Sequence, residues 1–323
     1  MLKIPLYFPP INKLGNIAFR ELCFDNEVDY VFTEMIRIEK LLELDQNQLN
    51  KLKVAEKSKN KTFVQIITKD LNLIEKGIDK IVDLFPEVKE INYNMGCPQS
   101  SLCKDECGAG IVANPILVEE VSKIFYNSCK KYNIQASIKI RLGITRDNIT
   151  IYENVKRIKK IGIKKIYIHG RVLKDTYSRP ATYLEIGKVK KENPELEIIA
   201  NGDIIDLISL NNIINETNCD GVLIGRAALE NPEIFKILKE NYSKNKIDNF
   251  YFENQKSGVL IKDRIKLIKN YLIIAKKYDI DISAVKANLS YMTKSTIGGA
   301  KFRKEVNSLT EIDILITLCD NYN

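Results

Sequence analysis

The stretch Asn92-Tyr93-Asn94-Met95-Gly96-Cys97-Pro98 sets a thiol where a hydrophobic strand opens into a loop. Val88, Ile91 and Tyr93 give the strand. Gly96 and Pro98 end it, one through its backbone freedom and the other through its missing amide hydrogen. Cys97 is thereby held on a short, stiff turn and positioned for chemistry; the alternative is a small buried hydrophobe, the commonest fate of a free cysteine.

Other residue types capable of chemistry recur along the chain. His169-Gly170-Arg171 holds the sole histidine. Lys139 lies between apolar neighbours in Ser137-Ile138-Lys139-Ile140-Arg141, which argues against a merely solvated lysine. Asn201-Gly202-Asp203 and Gly225-Arg226 are glycine turns of the kind that let backbone amides approach a phosphate. Gln65 and Lys139 supply an amide and an ammonium suited to stabilising the anionic reduced state of a flavin ring.

Short β-branched runs must carry these residues. Strands are expected at 4–8, 28–33, 62–67, 88–94, 134–140, 163–169, 196–200 and 220–224. Helical spacing is expected over 16–26, 69–83, 115–132, 148–161, 181–192, 206–217 and 232–240. Eight strands alternating with helices imply a TIM (β/α)8 barrel, with a doubly wound sheet as the rival. The barrel is favoured because Pro10, Glu34, Gln65, Cys97, Lys139, His169, Asn201 and Gly225 each fall at or just past the end of a different strand. Those ends converge on one face only in a barrel.

After a polar linker at Asn241–Gly258, helical spacing returns over Val259–Tyr278, Ser283–Lys294 and Ala300–Asn307. This divides the chain into a barrel at residues 1–242 and a C-terminal all-helical domain at 243–323.

Composition sets the outer limits. The 323 residues are 45% hydrophobic and 28% charged, enough for a full core. Of the net charge of +8, residues 241–323 hold +5, from 14 Lys/Arg against 9 Asp/Glu, which suits a polyanionic partner. Seven scattered cysteines, no signal peptide and no apolar run able to span a bilayer lead to the expectation of a reduced, cytoplasmic protein with no membrane. Cys97, Cys103 and Cys107 lack a paired C-x-x-C, so no metal is expected. Without a long apolar helix face or heptad run, a monomer is expected.

In combination these motifs resemble the bacterial type of tRNA-dihydrouridine synthase, flavin enzymes that reduce a uridine in folded RNA. The resemblance runs over nearly the whole chain. It is carried by Phe19-Arg20-Glu21-Leu22, Thr33-Glu34-Met35, Gln65, Asn94-Met95-Gly96-Cys97-Pro98, Gly108-Ala109-Gly110, Lys139-Ile140-Arg141-Leu142-Gly143, His169-Gly170-Arg171, Ala200-Asn201-Gly202-Asp203 and Gly225-Arg226. Met-Gly-Cys-Pro with Ile-His-Gly-Arg and a late Asn-Gly-Asp is specific together, though no piece is so alone.

The resemblance implies FMN as cofactor and NADPH as reductant. It sets FMN against Pro10, Ile11, Asn12, Gln65, Lys139, His169, Asn201, Gly202, Asp203, Gly225 and Arg226, and makes Cys97 the proton donor. Hydride from reduced flavin would go to carbon 6 of uracil and a proton from Cys97 to carbon 5. The substrate is tRNA, with Asn94, Arg141, Arg171, Lys286, Lys294 and Arg303 as RNA-contacting residues. The chain departs from the family near its start, where Pro10-Ile11-Asn12-Lys13-Leu14-Gly15-Asn16 replaces Pro-Met-Ala-Gly-Val/Ile-Thr-Asp. Asn16 lacks the usual aspartate charge, which bears on substrate choice or loop geometry. The same chemistry on ribosomal RNA, an FMN oxidoreductase of a free pyrimidine, and a non-enzymatic RNA-binding barrel are the competing readings.

Overall fold

The computed structural model describes residues 2–45, 52–244 and 259–322. Eight strands run parallel: β1 (Leu6–Phe8), β2 (Tyr30–Phe32), β3 (Thr62–Ile67), β4 (Glu90–Met95), β5 (Gln135–Arg141), β6 (Lys165–His169), β7 (Glu197–Asn201) and β8 (Gly221–Leu223). Each pairs with the next, and β1 pairs with β8 through Leu6↔Val222 and Tyr7↔Leu223, so the sheet closes. The expected barrel is present, and an open doubly wound sheet is excluded.

Helices follow the strands in turn. They are α1 (Ile17–Asp25), α2 (Ile38–Glu43), α3 (Ile74–Leu84), α4 (Ser100–Cys103), α5 (Pro115–Lys130), α6 (Ile151–Ile161), α7 (Leu184–Glu192), α8 (Leu207–Thr217), α9 (Arg226–Glu230) and α10 (Ile234–Lys244). Four more complete the described chain: α11 (Ile261–Lys277), α12 (Ile282–Met292), α13 (Gly299–Ser308) and α14 (Ile312–Asp320).

Several local expectations need revision: the helix expected from 69 begins at Ile74 after a short turn at Leu71–Leu73, and the C-terminal segment, expected to be all-helical, also holds a parallel pairing of Val259–Leu260 with Thr296–Ile297. The helix expected to begin at 148 begins at Ile151, because Asn148–Ile149 pairs antiparallel with Gly143–Thr145 and returns the chain to Leu142, whose carbonyl takes the Thr150 and Ile151 amides. The helix α14 was not expected: Ile312-Asp313-Ile314-Leu315-Ile316 is rich in strand-forming residues, but Leu315 and Cys319 are buried in packing that includes α11. The linker expected from Asn241 loses its first four residues to α10, and residues 245–258 lie outside the described part.

Alternation along the strands separates two environments. Val64, Ile66, Ile91, Tyr93, Ile138, Ile140, Ile166 and Ile168 belong to the large core cluster that also includes apolar residues of the surrounding helices. A second cluster joins Tyr7, Phe32, Phe63, Tyr167, Ile199 and Leu223, the intervening strand positions. These positions also carry polar side chains: Gln65 on β3, Glu90, Asn92 and Asn94 on β4, Ser137 on β5 and Lys165 on β6, all buried. The Lys165 ammonium sits 5.0 Å from the Tyr7 ring centre, 5.1 Å from that of Phe63 and 3.1 Å from Glu90 Oε2.

The C-terminal helices lean on the barrel through α1. The Phe19 and Tyr271 rings meet edge to face with centres 6.0 Å apart. Tyr278 donates its hydroxyl to Glu21 at 2.5 Å, and Lys277 reaches the same carboxylate at 3.1 Å.

Candidate functional site

A cleft of about 520 Å³ opens at the C-terminal mouth of the barrel. Its lining takes Pro10, Ile11 and Asn12 from the loop after β1, Asn94 and Cys97 from the end of β4, and Lys139 and Arg141 from β5. His169 and Arg171 follow β6, Asn201, Gly202 and Asp203 follow β7, and Gly225 and Arg226 follow β8. The volume and the mixture of apolar wall with a few polar groups suit a small-molecule site.

The turn that carries Cys97 is fastened from both sides. Asn94 Oδ1 accepts the Gly96 amide at 2.9 Å and the Cys97 amide at 2.8 Å. Arg141 Nε donates to the Gly96 carbonyl at 2.9 Å, and the Ala109 amide donates to the Cys97 carbonyl at 2.8 Å. Gly108 has φ +59°, and a Cβ there would stand 2.7 Å from the Cys97 carbonyl oxygen, so the loop closes over Cys97 only with glycine at this position. Cys103 Sγ contacts that same carbonyl at 3.4 Å, and Cys107 Sγ contacts the Thr68 carbonyl at 3.1 Å.

Gln65 departs from its expected place against the cofactor. It lies within β3 rather than at its end, is fully buried, and is absent from the cleft lining. Both ends of its amide are engaged: Nε2 donates to Asn92 Oδ1 at 2.8 Å, and Oε1 accepts from Asn94 Nδ2 at 2.7 Å. Asn92 donates onward to Ser137 Oγ at 2.8 Å, and Ser137 to Glu90 at 2.6 Å. A hydrogen-bonded column therefore runs inside the barrel from Glu90 to the Cys97 turn, and Gln65 is one of its rungs.

Burial and crowded cations set the electrostatics. The Lys139 ammonium is pulled down to about 8 by burial, with Arg141 adding to the effect. His169 is held well below the usual imidazole range by burial first and then by Lys139, Arg141, Arg171 and Arg226, so its ring is neutral. Asp203 gathers two of these cations. Arg171 Nη2 meets its carboxylate at 2.8 and 2.6 Å, Arg226 Nη2 meets it at 2.6 Å, and the Ala181 amide donates to it at 2.8 Å. Asp203 thus organises the turn after β7 as well as lining it. Gly202 has φ +142°, and a Cβ there would stand 2.7 Å from Ala181 Cβ.

The residues expected to face RNA are distributed unevenly. Asn94, Arg141 and Arg171 are buried and tied to the loops around the cleft, while Lys294 lines its rim, pairing with Glu230 at 2.9 Å. Lys286 and Arg303 lie outside the cleft lining. Lys286 donates to the Asn307 carbonyl at 2.9 Å and Arg303 to the Thr293 carbonyl at 2.7 Å, so both hold helices of the C-terminal bundle together. Asn16 also stays out of the cleft. Its Oδ1 caps α1 by accepting the Phe19 amide at 3.0 Å, and its Nδ2 donates to Asn288.

Sequence reading passed over Tyr177. This residue is 60% exposed, lines the cleft, and sets its ring 4.2 Å from the Arg226 guanidinium. The available signal was an aromatic within the polar loop that follows His169-Gly170-Arg171.

Residues 8–318 match the family model described as dihydrouridine synthase (Dus). The "probable tRNA-dihydrouridine synthase" of Aquifex aeolicus (strain VF5) is 31% identical over 72% of this chain and 71% of its own. That of Helicobacter pylori (strain ATCC 700392 / 26695) is 26% identical over 95% of this chain and 88% of its own. Among solved structures, a 2-naphthoyl-CoA reductase complex superposes with a TM-score of 0.55 at 10% identity. The match covers 73% of this chain but only half of that one, a likeness of fold alone. With its barrel, its Cys97 turn and a match running from the first strand into the last helix, the chain belongs to the dihydrouridine synthase family.

Proposed function

We propose that this protein is a flavin-dependent tRNA-dihydrouridine synthase that uses FMN as cofactor, NADPH as reductant and Cys97 as proton donor. The observation that carries this reading is the convergence of Cys97, Lys139 and His169 on one cleft with the turns at Asn201–Asp203 and Gly225–Arg226.

The cleft fits the cofactor on its own terms. Among the described residues the Lys139 ammonium, which lines the cleft, has no hydrogen-bond or ion-pair partner, so a ligand that brings acceptors satisfies it. Gly202 lines the cleft, in a turn packed so closely on Ala181 that only glycine fits. Pro10, Ile11, Asn12, Lys139, His169 and the two glycine turns would hold FMN, with Gln65 acting from beneath through Asn94. FMN, when bound and reduced, supplies the hydride for carbon 6 of uracil.

The protein's own part is to place the base and move a proton. Cys97 delivers its thiol proton to carbon 5 from a turn fixed by Asn94, Arg141 and Gly108. His169, neutral, offers a hydrogen bond without adding a charge beside Lys139. Because the site is recessed, the target uridine must leave its stack to enter. The helical segment within residues 243–323, with Lys294 at the rim of the cleft, serves as the RNA-binding domain. The relatives named for tRNA support that substrate class. Seven cysteines without a disulfide suit a reducing compartment, and the reading is completed by a cytoplasmic monomer.

The test is mass spectrometry of dihydrouridine after incubating wild-type protein or Cys97→Ala with FMN, NADPH and unmodified tRNA. Wild type is expected to form dihydrouridine. The variant is expected to keep its flavin and lose about 10²–10⁴-fold in rate, the usual worth of general acid catalysis. No product despite bound, NADPH-reducible flavin would move the substrate to ribosomal RNA or a free pyrimidine.

A further inference from the structure

Beside the cleft, between the barrel and the C-terminal helices, lies a second pocket of about 340 Å³. The two share Ile205, Arg226, Ala227 and Lys294, so they are compartments of one groove. Arg264, in the first turn of α11, lines this second pocket and only 7% of it is exposed. Its Nε and Nη1 are buried and, among the described residues, have no hydrogen-bond partner.

A buried guanidinium with unmet donors is uncommon, because each such donor forfeits its hydration without replacement. The charged groups around it do not relieve it. Arg226 is committed to Asp203, and the Glu230 carboxylate is paired with Lys294. Among the described residues, three cations, Arg226, Arg264 and Lys294, thus line the pocket against the single carboxylate of Glu230. The fork of N–H groups on an arginine matches the geometry of a phosphate, which accepts two parallel hydrogen bonds from it.

We infer that the Arg264 pocket is a phosphate subsite that receives a backbone phosphodiester of the RNA whose target base enters the adjoining cleft. This rests on the RNA-reducing function proposed above. The shared wall formed by Arg226 and Lys294 makes the subsite continuous with the base-binding cleft, so a strand delivering its base to one delivers its neighbouring backbone to the other. Arg264 is a positioning residue: it fixes the strand and does not touch the reacting atoms.

The experiment uses the full chain loaded with FMN and an unmodified tRNA. Binding is measured over a salt series from about 50 to 200 mM, where phosphate contacts dominate the dependence. Arg264→Met removes the charge and the unmet donors while keeping a long side chain, and its melting temperature reports that it is folded. The slope of log K against log salt is expected to become shallower by about 0.7 to 0.9, one phosphate contact. Affinity at low salt should fall several-fold, and Arg264→Lys should restore most of the slope. A folded Arg264→Met that matches wild type in affinity and slope overturns the subsite while leaving the synthase reading intact. So does a variant that loses thermal stability without changing the slope, since that is the mark of a structural arginine. Wild-type protein that neither binds tRNA nor reduces its uridines overturns both.

Discussion

Asn16 Nδ2 donates to Asn288 Oδ1 at 2.9 Å, joining the N-terminus of α1 to α12 across 272 residues of sequence. Tyr271 donates its hydroxyl to the same Asn288 oxygen at 2.9 Å, and Asn288 Nδ2 donates to the Leu14 carbonyl at 2.9 Å. The position where the family usually carries an aspartate is here a seam between the barrel and the C-terminal helices. Asn16→Ala removes a helix cap worth about 1 kcal/mol and at least one buried hydrogen bond worth about 1 kcal/mol. Thermal denaturation should show a loss of about 2 kcal/mol, with flavin affinity nearly unchanged because Asn16 is not in the cleft.

Lys139 makes stability depend on pH in a stated window. Above the usual lysine value of 10.5 the group is neutral whether folded or not, and below about 8 it is charged in both states. Between these limits the unfolded chain holds a proton that the folded chain lacks, so the stability of the flavin-free protein should rise with pH from about 8 to 10.5. Lys139→Met should flatten that rise in urea titrations taken at several pH values. In the wild type, flavin affinity should fall over the same range as the ammonium that lines the cleft is lost.

Asp203 answers to two arginines, one of them, Arg171, almost wholly buried. Asp203→Asn keeps the shape and removes the charge. Losing the charged hydrogen bonds to Arg171 should cost about 1.5–3 kcal/mol in chemical denaturation. The retained Arg171 bond to the Arg179 carbonyl at 2.8 Å keeps the variant folded, and its flavin affinity should drop because the turn after β7 is released.

Gln65 should affect catalysis without touching the reacting groups. Gln65→Leu strips Asn94 of its partner and leaves the Cys97 turn free to shift. A displacement of about 1 Å at a reacting group can cost up to 10²-fold. Single-turnover reduction of tRNA should therefore slow by between about tenfold and a hundredfold, while Cys97 itself is unaltered. An unchanged rate would mean that the column beneath the turn does not set its geometry.

Much of this was legible in the residues. The strand run at 62–67 was read to its termini, and the barrel was inferred from eight residues set at strand ends, of which Pro10, Cys97, Lys139, His169, Asn201 and Gly225 line one mouth while Glu34 and Gln65 do not. Gln65 was set at the rim although its expected strand already ran to residue 67; its amide joins the interior stack through Asn92 and Asn94. A period-two signal was available: Glu90, Asn92 and Asn94 alternate with Ile91, Tyr93 and Met95, as Ser137, Lys139 and Arg141 alternate with Ile138 and Ile140. Helix α14 escaped notice because its β-branched residues outweigh helical spacing until tertiary packing buries one face. The positions of Lys286 and Arg303 depend on long-range contacts to Asn307 and Thr293, and charge density alone does not separate a lysine that holds a fold from one that meets a ligand.

The column from Glu90 through Ser137, Asn92 and Gln65 to Asn94 gives the two mouths of the barrel a common fate. Lys165 and the rings of Tyr7 and Phe63 form its foot, outside the lining of the cleft. The placement of the Cys97 turn therefore depends on contacts that extend down the axis of the barrel. A substitution of Glu90 at the distal end is expected to reach Asn94 and the Cys97 turn through this chain of hydrogen bonds.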